Sequence, residues 1–434
     1  MSRRAKEPVA DEARTRRLGL PELMVQAGLG DDSSYYVFPN PGAIIQCPNC
    51  GSLAVKIHTS RTRVLQDILP QAQGAARFVE LHFQYKSYFC PDCQTVFTPA
   101  YQFAAPKSRV TRRFEDFLVR ESINRSLEKV SDIARQALSA PAIKLMTDRW
   151  AQDKESTQPP LYTPQTLCLL SYERPQALAL LVLAVEGGQV YLTDVLPDAG
   201  TDAIRTYLRR CELPAIHQVL LDMTETVWET VAETLPRAAF LVDPGFFYTL
   251  VREQLRATAG EKMRWLPMPD KMEVILTPRK KILASQQYTL QKALTRRSEL
   301  VNLYNAMDSL YEILTTNWSE QRLRDWAGAI CTSGPAELAP IARRMLDSMP
   351  NICLYEKAGF PAMKFSSIGE QMASLAASLR PCSFTLEKAR LLYLNTPDTI
   401  QVEGRPARRL GVPIEKVFTT LRELKQEQER IFEP

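Results

Sequence analysis

Histidine is scarce in this chain: there are three among 434 residues, and none lies beside a candidate serine or cysteine nucleophile. Hydrolytic chemistry that relies on a histidine base therefore has no support from the sequence. Long hydrophobic runs are also missing, since no stretch of about 18 apolar residues is present to span a bilayer. The basic start, up to Lys6, is not followed by the apolar segment of a secretory signal. We expect a cytoplasmic protein without a membrane partner.

A charge excess is nearly absent over the whole chain, with a net charge of +5, but the charge is unevenly distributed. Residues 1–150 contain 21 Lys or Arg against 15 Asp or Glu, whereas residues 151–434 contain 33 against 34. All of the positive excess lies in the first third of the chain, which indicates a polyanionic partner for that part. A solvated basic face is the alternative interpretation.

Four of the nine cysteines form two Cys-x-x-Cys motifs, one at Cys47 and Cys50 and the other at Cys90 and Cys93. This spacing is typical of zinc knuckles, and four thiolates complete a closed, tetrahedral structural site. Unpaired cysteines or a disulfide are the alternative. Because a four-cysteine site has no open position for a substrate, we expect structural zinc without a catalytic role.

The region between the two motifs favours a small β ribbon. Val79, Leu81 and Phe83 alternate with polar residues, which is typical of a half-buried strand. We therefore predict a zinc ribbon over residues 41–105, preceded by a partly ordered arm at residues 1–40. The five cysteines outside the motifs are scattered, which fits a reducing compartment better than a disulfide framework.

Residues 106–152 are predicted to form three short helices. Thr111 is a suitable N-cap for the first, the second begins near Ser126, and Pro141 fits the first turn of the third. Three such basic helices are typical of a helix-turn-helix module whose third helix reads DNA, with a plain helical linker as the alternative. The candidate DNA-binding residues are Arg109, Arg112, Arg113, Lys144, Thr147 and Arg149.

A polar linker at residues 153–160 precedes a change of pattern. The pattern beyond it predicts, in order, strands at 166–171, 177–184 and 189–195, a helix at 201–211, a strand at 217–221, a helix at 225–235 and a strand at 238–242. This order is typical of an RNase H-like α/β domain.

We predict that this domain covers residues 161–395, with a helical insertion from about 250 to 360, and that residues 396–434 form a C-terminal loop and helix. The fold class is therefore multidomain α/β: a zinc ribbon and a helix-turn-helix followed by an RNase H-like domain with a helical insertion.

With this order of domains the chain resembles the bacterial insertion-sequence transposases of the ISL-three family. The motifs that carry the resemblance lie at residues 47–52, 88–97, 221–223, 235–243 and 383–391. The resemblance implies duplex DNA as the partner and a homodimer as the assembly. It also implies three carboxylates that hold two Mg²⁺ ions roughly 4 Å apart for phosphodiester chemistry.

The catalytic carboxylates that the resemblance implies are incomplete here. Tyr172 stands where the family has its first aspartate, and the adjacent Glu173 would point to the opposite face of the strand. Asp222 matches the second carboxylate, although it also suits a cap for the following helix. Glu370 is the nearest candidate for the third. At Asp243 the family's Asp-Arg-Phe-His stretch has lost its arginine and histidine.

Three hypotheses follow. The first is a transposase-derived, nucleoid-associated protein that binds a specific duplex site, lacks nuclease activity, and acts as a regulator or scaffold. The second is an active Mg²⁺-dependent transposase that uses Glu173, Asp222 and Glu370, so that magnesium is a cofactor only if this site is functional. The third, an interaction protein without a nucleic-acid partner, leaves the basic N-terminal third without a role.

Overall fold

The computed structural model describes residues 9–42, 44–69, 77–134, 137–174, 177–262, 269–295, 298–379, 382–401 and 406–430. The chain divides into two compact units, Met1–Ser156 and Thr157–Pro434, called here the N-terminal and C-terminal units. Within the described residues, none of the helices combines the length and the apolar character needed to cross a bilayer.

The N-terminal unit is a small sheet followed by helices. Its elements are α1 (Glu12–Leu18), β1 (Leu23–Val25), β2 (Ser34–Pro39), β3 (Lys56–Leu69), β4 (Arg77–Phe89), β5 (Val96–Phe97), α2 (Arg112–Asn124), α3 (Leu127–Ile133) and α4 (Ala140–Ser156). The strand order is β1-β2-β4-β3, with β5 paired to β4.

The expected arm at residues 1–40 is wrong for its described part. Strand β2 pairs in parallel with β4, and β1 pairs with β2 in a hairpin. Leu18, Tyr35 and Val37 are buried in the same core as Phe83, because alternate residues of each strand face one side of the sheet. This segment therefore completes the sheet of the ribbon.

The first two helices after the ribbon have N-caps, and the first of these, Thr111, is the one that the sequence predicts. Thr111 and Ser126 are the N-caps of α2 and α3, each accepting a hydrogen bond from a backbone N–H of the first turn. Phe114 and Ile143 of this helical cluster pack together with Phe78 of β4, so ribbon and helices share a core. Helix α4 also continues to Ser156, across half of the expected linker.

The C-terminal unit is a mixed sheet covered by helices. Its strands are β6 (Thr166–Glu173), β7 (Leu178–Glu186), β8 (Gln189–Leu196), β9 (Gln218–Leu221), β10 (Ala239–Leu241), β11 (Asp398–Ile400) and β12 (Arg408–Pro413). Its helices are α5 (Thr201–Leu208), α6 (Glu225–Thr234), α7 (Gly245–Lys262), α8 (Pro269–Ile275), α9 (Ala284–Leu294), α10 (Ser298–Thr316), α11 (Glu320–Ser333), α12 (Ala339–Asp347), α13 (Met349–Lys357), α14 (Lys364–Ser378), α15 (Phe384–Leu392) and α16 (Ile414–Arg430).

The strand order of this sheet is β10-β9-β6-β7-β8-β12-β11. Strands β6, β7 and β8 are antiparallel neighbours, whereas β9 and β10 continue the sheet in parallel from β6. This mixed arrangement is consistent with an RNase H-like fold. The expectation of only a loop and a helix at residues 396–434 is wrong, because β12 extends the sheet at β8 and β11 pairs with β12.

One buried carboxylate joins the sheet to two helices. Asp243 follows β10, is fully buried, and accepts hydrogen bonds from the backbone N–H groups of Gly245, Met363, Phe365 and Ser366 at 2.8–2.9 Å. These donors lie at the N-termini of α7 and α14, where the helix dipole also favours a negative charge. Burial raises the pKa of Asp243, and the four N–H donors oppose that rise. The start of both helices is therefore fixed to the end of β10.

We predict that Asp243→Ala lowers the free energy of unfolding by at least about 3 kcal/mol, because hydrogen bonds to a charged group contribute about 1.5–3 kcal/mol each and four buried donors lose their acceptor. Urea unfolding followed by tryptophan fluorescence measures the change. Asp198→Ala is the matched control, since the exposed Asp198 accepts a bond from only one backbone N–H, that of Gly200. Equal effects of the two substitutions would contradict the assignment.

Candidate functional site

The four motif cysteines converge on one point of the N-terminal unit. The Sγ atoms of Cys47, Cys50, Cys90 and Cys93 all lie within 4.8 Å of one another. Cys47 and Cys93 are 3.5 Å apart, and Cys50 and Cys90 are 3.6 Å apart. A tetrahedral zinc ion with bonds of about 2.3 Å to sulfur needs Sγ atoms about 3.8 Å apart. The cluster therefore has the size and the ligands for a zinc ion.

Local backbone structure holds the two knuckles in place. In the first, Gly51 donates its N–H to the Cys47 carbonyl at 2.9 Å and adopts a φ of 76°, which suits glycine. In the second, Cys90 donates its N–H to the Thr95 carbonyl at 3.0 Å. A hydrogen bond from Ser52 to Asp92 links the knuckles at 2.5 Å. A metal bound here would join the two ends of the ribbon without an open coordination position.

We predict that Cys50→Ser abolishes stoichiometric zinc binding and lowers the melting temperature of the protein, because structural zinc binding is coupled to folding. Metal analysis of the purified protein and thermal melting provide the two measurements. Cys331→Ser, which changes a cysteine outside the cluster, should retain zinc. Full zinc occupancy in Cys50→Ser would contradict a four-thiolate site.

The structure separates the six candidate DNA-binding residues into two groups. Arg109, Arg112, Lys144 and Arg149 are exposed. Lys144 and Arg149 lie on the two flanks of α4, about 100° and 120° around the helix axis from Ile143, which is buried against the other helices. The exposed face of α4 is therefore free within the N-terminal unit to meet a ligand.

Two of the six candidates have structural roles instead. Thr147 is 2% exposed, and its hydroxyl is hydrogen-bonded to Ser122 and to the Ile143 carbonyl. Arg113 donates through Nε at 2.8 Å to the fully buried Asp67, which also accepts a bond from the Thr111 hydroxyl. The predictions for Thr147 and Arg113 are therefore wrong. Thr147 follows Ile143 by four residues and shares its buried face, and Arg113 neutralises a buried carboxylate.

A groove of about 830 Å³ in the C-terminal unit brings together the candidate catalytic residues. Glu173, Asp222 and Glu370 all line it. Glu253 of α7 also lines it, although sequence analysis did not identify this residue. With Glu273 of α8, the groove collects five acidic residues, from β6, the end of β9, α7, α8 and α14.

Ser171 is the residue of β6 beside Asp222. Its backbone N–H and its hydroxyl both donate to Asp222 Oδ2, and the Thr224 N–H donates to Oδ1 at 2.9 Å. These bonds are possible because β6 and β9 are parallel, with Leu169 opposite Leu221. Both carboxylate oxygens of Asp222 therefore accept hydrogen bonds from the protein. The N-cap of α6 is Thr224, so Asp222 is not the capping residue of that helix, contrary to the alternative interpretation.

Tyr172 was expected at the place of the first aspartate, and the structure corrects this. Its side chain is 2% exposed and donates at 2.7 Å to Glu387 of α15, which Arg174 also contacts at 2.6 Å. Burial raises the pKa of Tyr172, so its phenol stays protonated. Because neighbouring strand residues point to opposite faces, Ser171 and Glu173 share the face of Asp222, and Tyr172 does not. The expectation that Glu173 faces away from the site is wrong for the same reason.

Glu370 forms an ion pair with Arg252. Arg252 of α7 donates through one nitrogen to both carboxylate oxygens, at 3.1 and 3.0 Å, and Thr249 donates at 2.8 Å. Burial raises the pKa of the nearby Glu253, Arg256 opposes that rise, and Glu173 and Glu370 add to it. The negative charge of Glu370 is thus balanced by a guanidinium.

The acids of the groove lie in different surroundings from the cysteines. Among the residues that the structure describes, the four cysteines form a group of potential metal ligands whose donor atoms all lie within 4.8 Å of one another. The acids of the groove, all within the described part of the chain, do not form such a group. Ser171, Arg252 and Glu253 were not predicted from the sequence to lie in the groove. The alternation of β6 against Asp222 was the available signal for Ser171, whereas α7 and α14 are too far apart in the chain to indicate the other two.

Comparison with known protein families gives a match within the C-terminal unit. Residues 171–360, which include the groove residues Ser171, Glu173, Asp222 and Arg252, match the family model of the ISL-three type that is described as a transposase. A search of curated proteins found no significant match. Over these residues, the chain is similar to the transposases of the ISL-three family.

Proposed function

We propose that this chain is a transposase-derived protein that binds a specific site on duplex DNA and no longer cleaves DNA. The observation that carries the second half of the proposal is Ser171, hydrogen-bonded to Asp222 at the place beside the second carboxylate. A serine hydroxyl is neutral and cannot supply the charge that a pair of Mg²⁺ ions requires. The residue of β6 that contacts Asp222 is therefore neutral.

The position of Glu370 supports the same conclusion. A carboxylate that binds Mg²⁺ offers its oxygens to the metal, whereas both oxygens of Glu370 accept bonds from Arg252. A guanidinium stays charged at neutral pH and repels a divalent cation. Metal binding here would first have to break this ion pair.

The proposal of DNA binding rests on the family match together with α4. In a helix-turn-helix, one face of the reading helix packs on the module and the other enters the major groove. Helix α4 buries Ile143, Thr147 and Ala151 and exposes Lys144 and Arg149. Arg109 and Arg112, near the start of α2, would add phosphate contacts.

A regulator or scaffold is the role that binding without cleavage allows. Occupancy of a site is then sufficient to block transcription or the movement of an element. A homodimer follows by analogy with mobile elements that carry paired terminal sites. We place such a protein in the cytoplasm, associated with the nucleoid.

We predict that the zinc-loaded protein binds duplex DNA with an affinity that falls steeply as salt rises from about 50 to 200 mM, because released counterions dominate phosphate contacts. Lys144→Gln and Arg149→Gln should each weaken binding by about 1–3 kcal/mol if they contact bases, or reduce the salt slope by about 1 if they contact phosphates. Fluorescence anisotropy with labelled duplex measures both quantities.

Arg324→Gln is the control for that experiment, because Arg324 is an exposed arginine of the C-terminal unit that already pairs with Glu320. It should leave the affinity and the salt slope unchanged. Loss of binding in the control but not in the α4 variants would contradict the assignment of α4.

We predict no nicking of supercoiled DNA by the purified protein in Mg²⁺ or Mn²⁺, under conditions in which duplex binding is intact. Gel analysis of plasmid topology measures this. The competing candidate is an active transposase, favoured by the groove that collects Glu173, Asp222 and Glu370. Metal-dependent nicking that disappears in Asp222→Ala would establish that candidate and refute the inactive one.

A further inference from the structure

One end of the β3–β4 ribbon extends beyond the core of the N-terminal unit. We call residues 56–64 of β3 and their partners 82–89 of β4 the ribbon end. The first fully buried residue of β3 is Leu65, whereas three consecutive residues before it, 60–62, are all exposed. Because consecutive strand residues point to opposite faces, both faces of β3 meet solvent here. Strand β3 of the ribbon end is therefore available to a partner, and in β4 Lys86 is exposed while Phe83 is buried in the core.

The ribbon end is basic and contains no acidic residue. Neither 53–66 nor 81–91 includes an aspartate or a glutamate, and together they carry Lys56, Arg61, Arg63 and Lys86. Lys56, Arg61 and Lys86 are exposed and, in the described part of the chain, take part in no ion pair. Their positive charge is thus not balanced locally by a carboxylate.

A second basic cluster, in the C-terminal unit, shows what a balanced surface looks like. Arg279 and Lys280 are also exposed, but they pair with Asp308 and Glu312 at 3.6 Å each. Exposed pairs of this kind are common on solvated protein surfaces. The ribbon end differs because its exposed cations form no ion pair with a carboxylate in the described part of the chain.

Arg63 is partly buried, whereas the other three cations of the ribbon end are exposed. Its guanidinium lies 5.6 Å from the ring centre of Phe83 and 6.0 Å from that of Tyr85, so the rings restrict its orientation. Its Nε is buried and has no hydrogen-bond partner. Burial lowers the pKa of Arg63, and Tyr85 and Tyr101 oppose that fall. An anion at the edge of this guanidinium would give the buried Nε a hydrogen-bond partner.

The shape of the ribbon end suits a double helix. The register of β3 against β4 shifts between Ile57 and Thr59, and a bulge of this kind increases the local twist of a ribbon. Beside the shift, the hydroxyls of Thr59 and Ser87 are hydrogen-bonded at 2.6 Å across the strands. Within the described residues, the ribbon is two-stranded at 59–62 of β3 and 84–87 of β4, since 82–83 also pair with β2 and 88–89 also pair with β5. A twisted, two-stranded ribbon fits the major groove of B-form DNA, which admits such an element.

We propose that the ribbon end is a second duplex-DNA contact surface, with Arg61, Arg63 and Lys86 as its phosphate ligands. This inference rests on the proposed function, since it takes duplex DNA as the partner. It adds a surface that is separate from α4 and comes from a different part of the N-terminal unit. Binding through two surfaces would lengthen the site on DNA and increase the number of phosphates contacted.

The test uses the full-length, zinc-loaded protein and a fluorescein-labelled duplex of mixed sequence. Arg61→Gln and Lys86→Gln should each weaken binding several-fold at low salt and reduce the slope of log K against log salt by about 0.9, as expected for one lost phosphate contact. The double variant should lose about twice that slope. Zinc content and thermal melting should stay at wild-type values, because both side chains are exposed and unpaired.

Two matched variants separate the ribbon end from a general charge effect. Arg61→Lys keeps the charge and should retain the slope. Lys280→Gln removes an exposed but paired charge and should change neither the affinity nor the slope. An effect of Lys280→Gln equal to that of Arg61→Gln would overturn the assignment of the surface.

The outcomes distinguish this inference from the proposed function. If wild type binds duplex DNA and only the α4 variants weaken it, the ribbon end is not a contact surface and the proposed function stands. If wild type binds no duplex DNA, both are wrong. Competition by duplex RNA as strong as by duplex DNA would assign the surface to a different nucleic acid and overturn the proposal.

Discussion

The buried carboxylate of Asp243 determines the geometry of the C-terminal unit. Its two oxygens accept bonds from four backbone N–H groups at the starts of α7 and α14, two helices more than one hundred residues apart in the chain. Helix α7 carries Arg252, and α14 carries Glu370. The ion pair in the groove therefore forms because Asp243 fixes both helices to the end of β10.

The close packing at this junction adds a steric constraint. A Cβ atom on Gly245 would lie 2.1 Å from Ser366 Oγ and 2.7 Å from Met363 Cα, so no larger residue fits there without movement. The Asp-Pro-Gly sequence at 243–245 is thus explained by packing. The aspartate acts as a helix cap for two elements, and the glycine allows them to approach. Both roles stabilise the fold and neither requires a metal ion.

Much of the fold could be predicted from local patterns. Thr111 and Ser126 cap their helices, the turn at Gly187 and Gly188 has the positive φ values of a tight hairpin, and the cysteine motifs converge. These features depend on neighbouring residues, which the sequence shows directly. The pairing of β2 with β4 and of β12 with β8 could not be predicted, because strand partners distant in the chain leave no periodic pattern.

The geometry of the groove could not be predicted either, because its residues come from elements that are distant in the chain. The identity of the residue beside Asp222 depends on the register of β6 against β9, and a shift of one residue exchanges Ser171 for Tyr172. Likewise, Arg113 resembles a surface cation until its partner Asp67 is seen in the core. Residue type alone predicted the chemistry of the cysteines, whereas the polar residues of the groove required the tertiary structure.

The central claim is that protein donors, and not divalent cations, satisfy the carboxylates of Asp222 and Glu370 in the groove. Titration of Mn²⁺ into the zinc-loaded protein, followed by electron paramagnetic resonance, measures this directly. We expect no Mn²⁺ site in wild type and a new site in Ser171→Asp combined with Arg252→Gln, which restores an acid and removes the internal cation. A stoichiometric Mn²⁺ site in wild type that is lost in Asp222→Asn would contradict the account.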